Sequence, residues 1–463
     1  MGADNAKKPN VILIMADDMG FGDTGFSGSD WIKTPCMDRL AQDGVIFNRF
    51  YAGAPVSSPT RCSALTGRHP HRSGVFNANT GILRPEEVTI AEILREQGYS
   101  TGFFGKWHLG TLTYKEKDAN RGNVGNTREY NPPVLHGFDV TFASESKVPT
   151  WDPMKQPDKD KNPHSGWKYI DDGDDWRPFG TSYFDTEGNK VTDNLDGDDS
   201  RVIMDRAIDY IGKAAGEDRP FFSVIWFHTP HLPVVAGKEF YEMYDGELVR
   251  RNYAGSITAM DLQIGRLADY LRELGIDEDT IIFFCSDNGP ENGTPGSSAG
   301  LQGRKRSLHE GGVREPGFVV WKGHIVPDVT DYPCSTLDYL PTILDLTGTD
   351  RKAAPYLLDG ISLYPLLVRG KQKNDRNICF MYQNQAAVVG MRYKLYMKKD
   401  KVSLYDLSND MKEKNDIAEQ NKGIVRKMMK IYDRFEKSCK ASFMGEEYGT
   451  ESYSRLEQKW DRK

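Results

Sequence analysis

The chain has 463 residues, of which 38 % are hydrophobic and 27 % charged, and its formal net charge is −7. At roughly 100–200 residues per domain, that length calls for one large and one smaller domain. Glycine and proline make up about 15 % of the residues, below the ~25–30 % of low-complexity chains, which excludes collagen-like and disordered classes. The acidic balance argues against a nucleic-acid partner, so an anionic substrate has to be captured by a local cationic pocket. The six cysteines (Cys36, Cys62, Cys285, Cys334, Cys379 and Cys439) are scattered without a CxxC pair; most are expected to be buried small hydrophobes. No apolar run approaches the ~18 residues of a membrane helix. The opening MGADNAKKPN is polar, and Met1-Gly2 is read as standing where an export signal was removed.

In chain order, short apolar runs alternate with helical patterns, which predicts βαβ units and a mostly parallel sheet. Strands are expected at Val11–Met15, Phe221–Phe227, Ile281–Cys285 and Phe318–Trp321, each apolar on both faces as central parallel strands are. Thr89 is placed to cap a helix carrying Ile90, Ile93 and Leu94, with Gly98 beyond its end. Residues 152–200, rich in Asp, Gly, Asn and Pro and holding Trp167 and Trp176, read as a long surface insertion. Ile257 to Leu274 has one apolar face of Ile257, Met260, Ile264, Leu267 and Leu271. Past residue 366 the texture changes. Val388–Tyr396 and Val402–Leu407 read as hairpin-type strands and Ile424–Phe435 as a basic amphipathic helix. The expected division is therefore a catalytic α/β domain over 1–365 and a small α+β unit over 366–463.

Two predicted strands run directly into hard oxygen ligands. Val11–Met15 leads to Ala16-Asp17-Asp18, and Ile281–Cys285 leads to Ser286-Asp287-Asn288-Gly289. Such residues also end strands simply because turns favour them. In open α/β sheets, however, ligands collect at the carboxyl ends of strands, and the two matching ends together point to one site. Three carboxylates and an amide, with no Cys or His, suit a hard divalent cation, Ca²⁺ before Mg²⁺.

Residues 57–61 read Ser-Ser-Pro-Thr-Arg and are followed by Leu65-Thr66-Gly67-Arg68. This string resembles the (C/S)-x-P-x-R…L-T-G-R signature of the type I sulfatases, which belong with the alkaline phosphatases. Further segments resemble the same family: Asn10 through Asp18, Gly105-Lys106-Trp107-His108-Leu109-Gly110, Thr229-Pro230-His231-Leu232-Pro233, Ser286 through Gly289, and Lys305 ahead of Glu310-Gly311-Gly312-Val313-Arg314-Glu315-Pro316. The segment from Leu404-Tyr405-Asp406-Leu407 to Glu413-Lys414-Asn415 is similar to the family's closing motif, with the Asn one residue early. The resemblance implies an alkaline-phosphatase-like α/β fold with a small C-terminal sheet, and hydrolysis of a sulfate ester, on a sulfated saccharide by preference.

By the same resemblance residue 57 is oxidised by a formylglycine-generating enzyme to formylglycine, whose hydrate is the nucleophile. Asp17, Asp18, Asp287 and Asn288, with residue 57, would hold the cation. Arg61 would share a helix face with residue 57 and stabilise its hydrate. Lys106 and Lys305 would face sulfate oxygens, and His108 and His231 would divide the proton transfers. Ser144 or Ser146 could supply a further active-site serine. Residue 57 is Ser here, where many relatives carry Cys, so either a native Ser-type enzyme or a replaced cysteine accounts for it. For the sugar, the sequence offers Trp151 as a stacking face and Lys147 or His136 as a partner for an additional anion, and the acidic 152–200 segment favours a short saccharide over a long polymer. Two other readings stand beside this one: a phosphoester or phosphonate monoester hydrolase of the same superfamily, and an inactive sulfated-glycan-binding protein. The family resemblance also implies a periplasmic or secreted protein.

Overall fold

The structure is a computed structural model that describes residues 7–159, 166–168, 175–372, 374–449 and 460. Its centre is a nine-stranded sheet. From one edge to the other the strands are Asp328–Thr330, Val45–Phe47, Gly317–Val320, Thr280–Ser286, Asn10–Ala16, Phe221–Trp226, Ser100–Lys106, Val140–Ser144 and Tyr183–Phe184. The five from Thr280–Ser286 to Val140–Ser144 run parallel, so their carboxyl ends emerge along one rim.

Both faces of that sheet are covered, which is why its strands are apolar throughout. Successive side chains point to opposite faces. Val11, Leu13 and Met15 accordingly enter one hydrophobic core, with Leu94, Trp107 and Tyr339, while Ile12, Ile14 and Ala16 enter the other, with Ile203, Ile257 and Ile264. The helix Ile90–Glu96 has the expected Thr89 capping box with Glu92.

Several sequence readings change. The strand at Gly317–Val320 is antiparallel to both neighbours; two apolar faces report burial, not direction. The helix read from Ile257 begins at Leu248 and ends at Glu273. Its first turns pack on the short helix Lys238–Tyr241, where Gly255 leaves the room for close contact, so the sheet-facing periodicity starts late. In the C-terminal unit Val388–Tyr396 is two strands, Gln385–Gly390 and Tyr393–Lys398, within a four-stranded antiparallel sheet completed by Asn377–Tyr382 and Lys401–Asp406. Against it lies the helix Lys422–Phe443, through Met428, Tyr432 and Cys439. The helix Tyr364–Arg369 crosses the expected division at 365/366 and adds Leu367 to the core of the large sheet, so we propose to divide the chain after it.

In the 152–200 segment the described part forms a two-stranded ladder, Asp158–Lys159 with Trp167–Lys168, before the helix Asp199–Gly216; residues 160–165 and 169–174 lie outside the described residues. All six cysteines are free thiols and five are buried. Among the described residues, no helix is long and apolar enough to cross a membrane.

Candidate active site

Five parallel strand ends and one helix start meet at the rim of the sheet. The strand Asn10–Ala16 delivers Asp17 and Asp18, and Thr280–Ser286 delivers Asp287 and Asn288. Ser100–Lys106 ends on Lys106, Phe221–Trp226 leads to His228 and His231, and Val140–Ser144 leads to Ser146. Opposite them starts the helix Ser57–Thr66, all ten residues of which are buried. Val56 is its N-cap, so Ser57 stands in the first turn, where the peptide N–H groups favour an anion.

The carboxylates interlock across the two strand ends. The backbone N–H of Asp18 donates to Asp287 Oδ1 at 2.9 Å, and Asn288 Nδ2 donates to Asp18 Oδ1 at 2.7 Å. Asp18 takes a φ of 65° to turn the chain here, a conformation that Asp tolerates better than most residues. Ser57 Oγ lies 3.3 Å from Asp17 Oδ1. One turn along, Arg61 Nη1 donates to Asp287 Oδ2 at 2.6 Å and its Nη2 to Asp17 Oδ2 at 3.3 Å. Lys106 Nζ pairs with Asp17, and Lys305 Nζ reaches the Asp18 carboxylate at 2.7 Å.

Three buried carboxylates thus face three buried cations, and the balance sets their protonation. Burial pushes the Asp17 carboxyl up, but Lys106 and Arg61 outweigh it and hold the group well below the usual carboxylate range. At Asp18 burial prevails, helped by Asp17 and Asp287 against Lys305, and raises it to about 6. Burial lowers Lys106, whereas for Lys305 the attraction of Asp18 and Asp17 overcomes burial and raises it.

Both histidines are held neutral. Burial, then Lys106 and Arg61, pushes His108 well down; burial, then Lys305 and Lys106, does the same to His231. His231 Nδ1 donates to the Leu232 carbonyl at 2.7 Å, which leaves Nε2 as the lone-pair nitrogen, 3.6 Å from Asp18 Oδ2. His108 Nε2 bonds Asn79 Oδ1 at 2.9 Å, while its Nδ1 is buried without a hydrogen-bond partner. Each ring therefore offers one basic nitrogen.

Two observations bear on a cation. Donor atoms of Asp17, Asp18 and His231 lie within 4.8 Å of one another. Asn288 Oδ1 is buried with no hydrogen-bond partner, and a buried amide oxygen normally has one. An orphaned carbonyl-type oxygen beside three carboxylates fits a hard cation.

Of the other residues read from the sequence, Lys147 is exposed just beyond Ser146. Trp151 is half-buried, with its ring tip in the space a side chain at Gly237 would take. His136 requires a correction. It is 1 % exposed, its Nε2 bonds Asn131 Oδ1 at 2.9 Å, and burial lowers it to about 3. A neutral imidazole inside the core has no route to a solvated anion. His228 is buried in a chain with Asp199 at 2.8 Å and Ser144 at 2.7 Å.

The sequence reading missed four neighbours. Glu291 accepts from Arg306 at 2.6 Å and lies 3.4 Å from Lys305. Asn79 holds His108, and Asn120 donates to both Asn79 Oδ1 and Ser146 Oγ. Tyr382, from the small sheet, donates to Asn77 at 3.3 Å. Glu291 follows the Asp287-Asn288 pair closely enough to have been considered; Asn79 and Asn120 sit on loops with no local signal, and Tyr382 ends a strand of the small sheet.

The profile of the family described as Sulfatase matches residues 9–349, and that of the N-sulphoglucosamine sulphohydrolase C-terminal family matches 303–438. The chain is 35 % identical over 387 residues to arylsulfatase A of Homo sapiens, covering 81 % of this chain and 71 % of that protein. It is 31 % identical over 414 residues to the human N-acetylgalactosamine-6-sulfatase, covering 84 % and 72 %. Among solved structures it is similar to Ps i-CgsB in complex with k-i-k-neocarrahexaose, with a TM-score of 0.77, 28 % identity and 93 % of each chain covered.

Proposed function

Because this chain belongs to the sulfatase family and is a sulfuric ester hydrolase, we propose that it releases sulfate from saccharides with residue 57, as formylglycine, for nucleophile and one Ca²⁺ beside it. The observation that carries this reading is the convergence of Ser57, three carboxylates and the orphaned Asn288 Oδ1 on one rim of the sheet. The saccharide is supported by the relatives: one is an N-acetylgalactosamine-6-sulfatase and one similar structure holds a neocarrahexaose.

Asp17, Asp18, Asp287 and Asn288 would hold the cation, with residue 57 turned toward it; its charge would polarise the sulfate and favour an ionised oxygen at residue 57. Formylglycine, once hydrated, supplies two hydroxyls on one carbon, one to attack sulfur and one to break the resulting link. It requires a maturation enzyme that oxidises residue 57.

The remaining work falls to this chain's side chains. Arg61 braces Asp17 and Asp287 and presents its charge to the oxygens on residue 57. Lys106 and Lys305 offset the negative charge that grows on the sulfate oxygens and the leaving oxygen. His108 Nδ1 and His231 Nε2 are the nitrogens that move protons, one relieving a hydroxyl of residue 57 and the other serving the leaving oxygen. Lys147 and Trp151 lie beyond Ser146 on the same connection and are our choice for first contacts with the sugar. In this reading the protein works in the periplasm or outside the cell.

The test is a panel of sulfated mono- and oligosaccharides, with 4-nitrophenyl sulfate and 4-nitrophenyl phosphate as controls, read by release of the free anion. Sulfate turnover should exceed phosphate turnover, vanish on exhaustive chelation and return with Ca²⁺. Full activity in metal-free protein would refute the ligand assignment; preference for the phosphate ester would refute the reaction.

A further inference from the structure

A cavity opens in the segment the sequence marked as an insertion. It has a volume of about 510 Å³ and lies between residues 117–118, 154–155 and 176–196. Trp176 lines it and is 54 % exposed, which is unusual for so large an apolar ring away from any core. Around it stand three ammonium groups, from Lys117, Lys155 and Lys190, two carboxyl groups, from Asp118 and Asp196, and the hydroxyl residues Thr181, Ser182 and Thr192. Lys190 pairs with Glu116 at 2.6 Å and Lys155 with Asp152 at 3.3 Å and Asp196 at 3.7 Å, while Lys117 Nζ reaches a backbone carbonyl, that of Ala119, at 3.4 Å.

Two connections tie the lining of this cavity to residues around the catalytic site. Asp118 is two residues from Asn120, whose amide bonds Asn79, the partner of His108. The Ala119 N–H donates to the Gly180 carbonyl at 2.7 Å, tying that loop to the cavity's other side. Ser182 precedes Tyr183, whose hydroxyl bonds Asp199 in the chain that leads through His228 to Ser144. A flat aromatic face among hydroxyls and an ammonium is the chemistry that receives a sugar ring carrying an acidic group.

We propose that this cavity is a second saccharide subsite. The unit next to the one being desulfated stacks on Trp176, and an anionic substituent on it, sulfate or carboxylate, meets Lys117. The protein would then prefer oligosaccharides to sulfated monosaccharides, and a chain of alternating anionic units would be favoured where the acidic composition of 152–200 had suggested exclusion. This inference rests on the reading of the protein as a saccharide sulfatase.

The experiment measures kcat and KM on 4-nitrophenyl sulfate, on sulfated galactose and N-acetylgalactosamine, and on sulfated galactan and chondroitin tetrasaccharides. The wild type should show a lower KM for a tetrasaccharide than for its monosaccharide. Trp176→Ala and Lys117→Ala should each raise that tetrasaccharide KM about tenfold while leaving the aryl sulfate and monosaccharide constants unchanged, and Trp176→Phe should recover most of the loss. Equal constants for monosaccharide and tetrasaccharide, or variant effects shared by all substrates, would overturn the subsite while leaving the sulfatase reading intact. Turnover of the aryl sulfate without turnover of any saccharide would overturn both the subsite and the choice of saccharide.

Discussion

Replacing Lys394 by Met should cost the protein about 3–5 kcal/mol, because it removes a buried cation shared by two buried carboxylates. Lys394 comes from the small sheet, is fully buried, and reaches Glu310 Oε1 at 2.9 Å and Glu413 Oε1 at 3.1 Å. Glu310 keeps Tyr51 at 2.9 Å and Arg314 at 3.6 Å when the lysine is gone. Glu413 keeps the Glu310 backbone N–H at 2.7 Å and His309 Nδ1 at 3.1 Å but no Lys or Arg partner among the described residues, so it is the group left worst off. Unfolding a chain of 463 residues carries an entropy of about 1 kcal/mol/K, at ~2.1 cal/mol/K per residue, so the loss corresponds to a Tm lower by about 3–5 °C. Matched calorimetric scans of wild type, Lys394→Met and Lys394→Met/Glu413→Gln at pH 7 measure it. The double variant should regain about half the loss, since an amide needs no counter-ion and still accepts from Glu310 N–H. A single-variant shift below about 1 °C, or no recovery in the double variant, would refute the view that this ion cluster fastens the small sheet to the catalytic domain.

His136 sits at about 3 in the fold against an ordinary value of 6.5, lowered by burial; the stability it supports is complete above pH 6.5 and is lost as the pH falls toward 3. Between pH 7 and 5 that amounts to about 2 kcal/mol, so His136→Asn should flatten the pH dependence of urea unfolding by that amount, and parallel slopes would contradict it. Ser57→Ala should abolish turnover, by about 10³-fold or more. Its Tm should move by no more than about 1 °C, since a single 3.3 Å hydrogen bond is lost; multiple turnovers by this variant would refute the assignment of residue 57.

The candidate site was legible because the residues that compose it are local in sequence. Asp17-Asp18 and Asp287-Asn288 each follow a strand whose apolar run is unmistakable, and Ser57 and Arg61 lie one helical turn apart. The parallel register of Asn10–Ala16 with Thr280–Ser286 then brings the ends together. Strand direction was not legible at Gly317–Val320, since a residue buried on both sides is apolar whichever way its strand runs. His136 was misread for a related reason. A polar histidine invites a solvent-facing role, and its neighbour Leu135 is indeed 56 % exposed, but His136 itself is packed inward between Asn131 and Trp107. Asn79 and Asn120 were invisible because only the fold brings those two loops to His108. Trp176, by contrast, was in view as part of the insertion, and the structure supplies what the sequence lacked: the lysines and hydroxyls that surround it.

The central claim is that turnover depends on an aldehyde at residue 57, and mass spectrometry of the peptide containing that residue, taken from protein of measured specific activity, tests it most directly. A peptide two hydrogens lighter than the serine form, in a fraction that rises and falls with activity across preparations, is the predicted result. A serine hydroxyl has no second oxygen on its carbon with which to expel sulfate, so it would stop after one turnover. Protein that releases sulfate repeatedly while Ser57 remains wholly intact would contradict the account.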